Sequence, residues 1–170
     1  FVALIEEARG LRPPVWIARL REISDWWQEK AAFSVDVSET PVGLHVSFEC
    51  SPRGTVRSRG IAAAGDGEAW DNGYQRVSAK SLDVPADPRP FVGIAGDVPE
   101  SVAAFLREQG HILDPGESAP RCGTYLNATV LSGLANEVEI VNYIEDSAKS
   151  LIRYWPWPDG AKSALCVTGD

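Results

Sequence analysis

The sequence predicts an α+β chain in which a small antiparallel β-sandwich is flanked on both sides by helix and strand elements. Three observations predict this. Phe33, Val35 and Val37 alternate with polar neighbours, as do Leu44, Val46 and Phe48, which is the period of a strand with one buried face. Leu20, Ile23 and Trp27 fall at i, i+3 and i+7, the spacing of one helix face. Pro41, Pro52, Gly54, Gly60, Gly65, Gly67 and Gly73 cut the middle of the chain into short pieces, as frequent turns between short strands would.

Taken in order, Val2 to Arg9 is helix-prone and ends at Gly10, and Pro13 and Pro14 break any helix. Val15 to Ala18 is an apolar, β-prone run before the amphipathic helix. A single helix from Trp16 keeps the same spacing, so periodicity leaves strand and helix both open there. Trp26 sits beside the predicted stripe. Further strands are expected near 55–61, 74–79 and 82–84, with a loop over 62–73. Phe91 to Ile94 reads as a strand. Asp97 is expected to cap a helix with Pro99 in its first turn, an apolar face of Val102, Phe105 and Leu106, and a stop at Gly110. A turn-rich loop over 114–123 then leads to a long helix from about Leu131 to Leu151, with a stripe of Leu134, Val138, Val141, Ala148 and Ile152. Ser163 to Thr168 reads as a buried strand. The changes of style place boundaries near residues 32 and 88, dividing the chain into 1–31, 32–87 and 88–170.

Composition narrows the function. The 170 residues are 44% hydrophobic, which is ordinary for a folded chain, and carry a formal net charge of -8. An acidic chain has no basic face for nucleic acid or anionic lipid, so no nucleic-acid partner is expected. No apolar run reaches the roughly 18 residues of a membrane span. The chain begins at Phe1 and contains no Met, so both ends are expected to be cuts. Cys50, Cys122 and Cys166 make an odd, widely spaced set and are expected to be buried thiols, the alternative being one bridged pair if the protein is secreted. Asn127-Ala128-Thr129 matches a glycosylation sequon.

Candidate chemistry is sparse. No Gly-x-Ser-x-Gly elbow occurs, and His45 and His111 are expected on the surface or half-buried. Neither His-x-x-x-His nor Cys-x-x-Cys spacing is present, so no metal site is expected in this chain. Asp66, Glu68 and Asp71 do not fit the spacing of a twelve-residue calcium loop and read as a solvated acidic loop. The aromatics are more informative. Trp155-Pro156-Trp157-Pro158-Asp159-Gly160 places two indoles in a stiff turn, and Trp70 lies in a Gly-rich loop. Indole faces stack on the C–H faces of sugar rings while the N–H reaches a hydroxyl, so Trp70, Trp155 and Trp157 are candidate carbohydrate contacts. The competing expectation is that the Trp155/Trp157 pair anchors its turn to a core, and Trp70 carries a similar one.

Two stretches resemble polysaccharide deacetylase-like proteins, carbohydrate esterases with a distorted (β/α) barrel. Val15-Trp16-Ile17-Ala18-Arg19-Leu20-Arg21-Glu22-Ile23-Ser24-Asp25-Trp26-Trp27 resembles the last strand and closing helix of that barrel. Trp155 to Asp170, ending Ala164-Leu165-Cys166-Val167-Thr168-Gly169-Asp170, is similar to the approach to its first strand, whose Thr-x-Asp tip carries the first catalytic motif. The resemblance favours a strand at Val15–Ala18 and covers the ends of the chain but little of its middle. It implies that Asp170 is the general base and that zinc or another divalent metal serves the parent protein. It also implies that the metal-binding Asp lies just past Asp170, and that a His-Ser/Thr-x-x-His motif, absent here, supplies two more ligands. On this reading the chain alone is catalytically incomplete, a polysaccharide is the partner of the parent, and this region docks against deacetylase-like barrel domains of the same protein. The alternative is a non-catalytic module that binds carbohydrate or another protein.

Overall fold

The computed structural model describes residues 2–11, 14–61 and 71–168. The chain is mixed α and β, with four small sheets and no closed barrel among the described residues. Helix α1 (Val2–Gly10) leads to β1 (Val15–Ala18) and α2 (Leu20–Ala31). Strands β2 (Ser34–Thr40) and β3 (Gly43–Glu49) form a hairpin, joined antiparallel by β6 (Ser81–Val84). Strands β4 (Val56–Arg59) and β5 (Gln75–Val77) pair antiparallel, and β10 (Leu151–Tyr154) lines the other edge of β4. A third, parallel sheet has β7 (Arg89–Ile94) between β8 (Leu113–Asp114) and β9 (Cys122–Leu126), with α3 (Glu100–Glu108) as the crossover between β7 and β8. Short α4 (Ala128–Ser132) and α5 (Glu137–Ser147) precede β10. The last strand, β11 (Ser163–Cys166), runs parallel to β1 and pairs Val15 with Ser163 and Ala18 with Cys166.

Two apolar cores result. Trp26, Leu44, Val46, Phe48, Val56, Leu82 and Tyr154 pack together, so both antiparallel sheets and α2 share one interior. Val92, Leu106, Leu126, Ile140, Ile144 and Leu151 form the second, between the parallel sheet and α3 and α5. The alternation expected in β3 is present: Leu44, Val46 and Phe48 are buried and their neighbours are not.

Four local expectations need correction. The buried residues of α2 are Trp26 and Lys30; Leu20 is 67% exposed and Trp27 39% exposed. The helix is rotated so that Trp26 rather than Trp27 faces the interior, where its ring stacks near Tyr154 and its indole N–H donates to the Pro156 carbonyl at 2.8 Å. The long helix expected over 131–151 is two helices and a strand. Asn127 and Asn136 each start a helix by accepting from the backbone N–H three residues on, of Val130 and Glu139. Leu151 and Ile152 are buried in β10, and Val138 faces solvent. Asp97 does not cap α3, whose N-terminal flank is Pro99; its carboxylate accepts from the Ala128 amide at 3.3 Å. The strand expected at 163–168 is half-exposed, with Ser163 and Cys166 open.

The cysteines also differ from expectation. Cys122 is buried, but Cys50 and Cys166 are exposed, and all three are free. Burial first, and then the Asp114 carboxylate, push the Cys122 thiol up to about 12, so it stays protonated and a poor nucleophile at neutral pH.

Candidate functional site

The two stretches at the chain's ends come together. Between β10 and β11 the chain turns through a 3-10 segment at Pro158–Gly160, where Asp159 and Gly160 have φ of 55° and 71°. The β1–β11 ladder extends beyond the strands: Lys162 N–H donates to the Pro14 carbonyl at 3.0 Å and Val167 N–H to the Ala18 carbonyl at 2.9 Å. Arg53 secures the turn from the side, with its guanidinium 3.3 Å from the Asp159 carboxylate and its carbonyl accepting from the Asp159 N–H at 2.8 Å.

The candidate aromatics sit in this region with separate neighbours. Trp155 is half-buried; its N–H donates to the Ala161 carbonyl at 2.7 Å, and the Arg57 guanidinium stands 4.7 Å from its ring centre. Trp157 is half-buried between Trp16 and Trp27, at 6.3 Å from each ring. Trp27 is thus the more open indole of this group, and its exposure follows from the helix rotation that Trp26 imposes. Trp70 and Asp170 lie outside the described residues, as do Asp66 and Glu68 of the acidic loop. Among the described residues no three His, Cys, Asp or Glu side chains converge into a group able to hold a metal. The metal that the resemblance implies therefore has no donor set in this described part of the chain.

Deeper in the fold lies a buried charge cluster that sequence reasoning missed. Arg59 and Arg153 stand on adjacent strands and reach across to α5, where Glu145 takes both: Arg59 at 2.8 Å and Arg153 at 2.9 Å. The Tyr74 hydroxyl donates to the same carboxylate at 2.9 Å. Burial pushes the Tyr74 phenol up to about 12, so it remains a donor across the physiological range. Arg153 also donates to the Gln109 carbonyl at 2.6 Å, which ties β10 to the end of α3.

His111 adjoins this cluster and is buried, 4% exposed, against the sequence expectation of a surface or half-buried ring. The reason is Gly110, which takes a φ of 86° and packs against the β10 backbone so closely that a Cβ would overlap the Tyr154 carbonyl. The chain is thereby folded onto β10, where His111 bridges to Arg153. Neither ring nitrogen has a hydrogen-bond partner. Burial, and then the charges of Arg153 and Arg59, hold the imidazole neutral well below its ordinary 6.5. The unfolded chain takes up this proton as pH falls below 6.5 and the folded chain does not. Stability is therefore full above 6.5 and is lost toward acid, by up to about 1.4 kcal/mol per pH unit from this group. Urea midpoints measured from pH 7 to 5 are expected to fall, and less steeply in His111→Gln; identical slopes would remove His111 as the cause.

His45, by contrast, sits at the surface, 2.8 Å from the Asp83 carboxylate on the neighbouring strand. No helix among the described residues is long and apolar enough to cross a membrane. No protein-family model, curated protein or solved structure matches the chain.

Proposed function

We propose that the chain is a fragment or accessory region of a polysaccharide deacetylase-like hydrolase that acts on acetylated glycans, and that it is not catalytically complete by itself. The observation that carries this reading is the parallel pairing of β1 with β11. The two segments that resemble the last and first strands of the deacetylase barrel are 145 residues apart in sequence, at Ala18 and Ser163. In a closed (β/α) barrel those two strands are parallel neighbours, and here they are too. Parallel sheets are normally covered on both faces. This pair has only two strands and partly open faces, which fits an edge that further barrel strands of the parent would complete. The two antiparallel sheets around one core, one of them edged by β10 from the later part of the chain, serve as the small β-sandwich module beside that barrel.

In this reading Asp170 acts as general base for attack on the acetyl carbonyl. A zinc or other divalent ion, held by parent residues, supplies a Lewis acid and an activated water. The test is acetate release from acetylated chitin and xylan oligomers by the natural polypeptide that carries this sequence. Release that chelation stops and zinc restores is the expected result. No release with zinc present, or a natural polypeptide without a His-Ser/Thr-x-x-His motif, overturns the proposal.

A second reading, a non-catalytic module that holds polysaccharide or a protein partner, is favoured by the Trp16, Trp157 and Trp27 group, whose outer member is 39% exposed. Oligomer titrations in which Trp27→Ala and Trp157→Ala lose affinity would favour it over the first.

A further inference from the structure

A cavity of about 550 Å³ opens between α2, the start of β2 and the segment that follows α3. That is within the size range of small-molecule sites. Much of its wall is apolar, with Phe33, Val35 and Ile112 among its members and Trp27 at one side. Five titratable side chains also line it, Lys30, Arg107, Glu108, His111 and Tyr154, and of these Lys30, His111 and Tyr154 are buried.

Lys30 is the unusual one. It occupies the buried face of α2, 6% exposed, where an apolar residue would be expected. Its ammonium donates to the Glu108 carbonyl at the end of α3 and lies 4.3 Å from the centre of the Trp27 ring. Both of these partners are uncharged. Among the described residues no carboxylate forms an ion pair with it; the nearby Arg107 takes Glu100, and Arg153 takes Glu145. A buried ammonium is costly unless an anion compensates it. Beside it, the His111 ring has both nitrogens buried and unpartnered, which is itself costly. The cavity thus joins an apolar wall to one buried ammonium that has no ion-pair partner among the described residues, with the Glu108 carboxylate acting on it only from a distance.

We propose that this cavity binds a small organic monocarboxylate, its anionic head against the Lys30 ammonium and its compact apolar body along Phe33, Val35 and Ile112. Two ammonium protons remain after the bond to the Glu108 carbonyl. Arg107 on the same wall is taken by Glu100, and the Glu108 carboxylate repels added negative charge, so a singly charged head suits the site better than a phosphate. The site is independent of the glycan reading and stands or falls without it.

The test is calorimetric titration of the protein with benzoate and hexanoate, and with benzyl alcohol and hexanol as neutral counterparts. The acids are expected to bind at least about tenfold more tightly than the alcohols, the scale of one hydrogen bond to a charged group. Lys30→Met is expected to abolish that preference while leaving alcohol binding little changed, and Lys30→Arg to keep it. The Met variant removes a buried charge, so its fold is expected to survive. Should it not, Ile112→Trp, which fills the cavity from its apolar side, is expected to weaken acids and alcohols together. A pH series gives a separate readout. Burial, followed by the charge of Arg153, lowers Lys30 to about 8, with Glu108 acting in the opposite sense. Lys30, Arg107, Glu108, His111 and Tyr154 face this cavity, and the Arg153 charge acts on Lys30 and His111 from outside its lining. Above pH 8 the free ammonium is lost, and acid affinity is expected to fall by up to about tenfold per pH unit while alcohol affinity holds. Acids that bind no better than alcohols, or a Met variant that keeps the acid preference, would overturn the proposal.

Discussion

Glu145→Ala is expected to destabilise the fold by about 3–5 kcal/mol, the usual result of removing one partner from a buried ion pair. Glu145 is the one carboxylate among the described residues that pairs with Arg59 and Arg153, and the three side chains are only 10–14% exposed. Its loss would leave two guanidinium groups and the Tyr74 hydroxyl buried with fewer partners. The effect reaches beyond α5, because Arg59 also donates to the Glu145 and Ala148 carbonyls at 2.9 Å and Arg153 to Gln109. The carboxylate therefore joins β4, β10 and α5 at one point. Thermal unfolding should show a fall in midpoint on the order of 10 °C. Glu145→Gln can keep a hydrogen bond to Tyr74 but not the charge, so it should lie close to the Ala variant if charge is what matters. Methionine at both Arg59 and Arg153 in the Ala background should recover part of the loss, because the stranded charges go with it. A native-like midpoint for Glu145→Ala would show that the cluster contributes nothing net.

Trp26→Ala is expected to cost a similar amount, about 3–5 kcal/mol, for a different reason. Trp26 is fully buried, and its ring lies 6.2 Å from that of Tyr154 in a stacked arrangement. Its removal leaves a large void between α2 and the two antiparallel sheets. It also strands the Pro156 carbonyl, which accepts from the indole N–H and sits in the turn before β11. Trp26→Phe separates the two contributions: it keeps most of the apolar volume and loses the hydrogen bond, which should cost about 1–3 kcal/mol. Denaturant unfolding of both variants checks the order. If Trp26→Phe is as damaging as Trp26→Ala, the bond to Pro156 outweighs packing; if neither shifts the midpoint, α2 is not anchored here.

These two residues also show where sequence reasoning reaches and where it stops. The β2–β3 hairpin was legible because one face of β3 meets a core and the other does not, so Leu44, Val46 and Phe48 carry the period. β1 was ambiguous by period alone and became a strand only through the resemblance. The face of α2 was misread because apolar spacing favours Leu20, Ile23 and Trp27, whereas the helix buries Trp26 and a lysine. Nothing local marks Lys30 as buried; its oxygen partner is 78 residues away. The same holds for Glu145, whose arginines come from β4, 86 residues earlier, and from β10. Strand β9 begins in the last two residues of the loop expected over 114–123 and continues through Leu126, where no element is expected, since Cys122-Gly123-Thr124 has little apolar signal and its parallel partner β7 lies far back in the chain. His111 was read as a surface or half-buried ring following a helix stop, and only the close seating of Gly110 on β10 places it inside. The two chain-end segments, 145 residues apart, lie side by side as β1 and β11, a pairing that no local pattern announces.

We propose that this chain contributes the first motif of a glycan deacetylase. The most direct test is Asp170→Asn in the natural polypeptide, with zinc-dependent acetate release from acetylated oligomers as the readout. A loss of about 10²–10⁴-fold, the contribution of a positioned general base, with metal content unchanged, is the predicted result. Release at the native rate by the Asn variant would contradict the account.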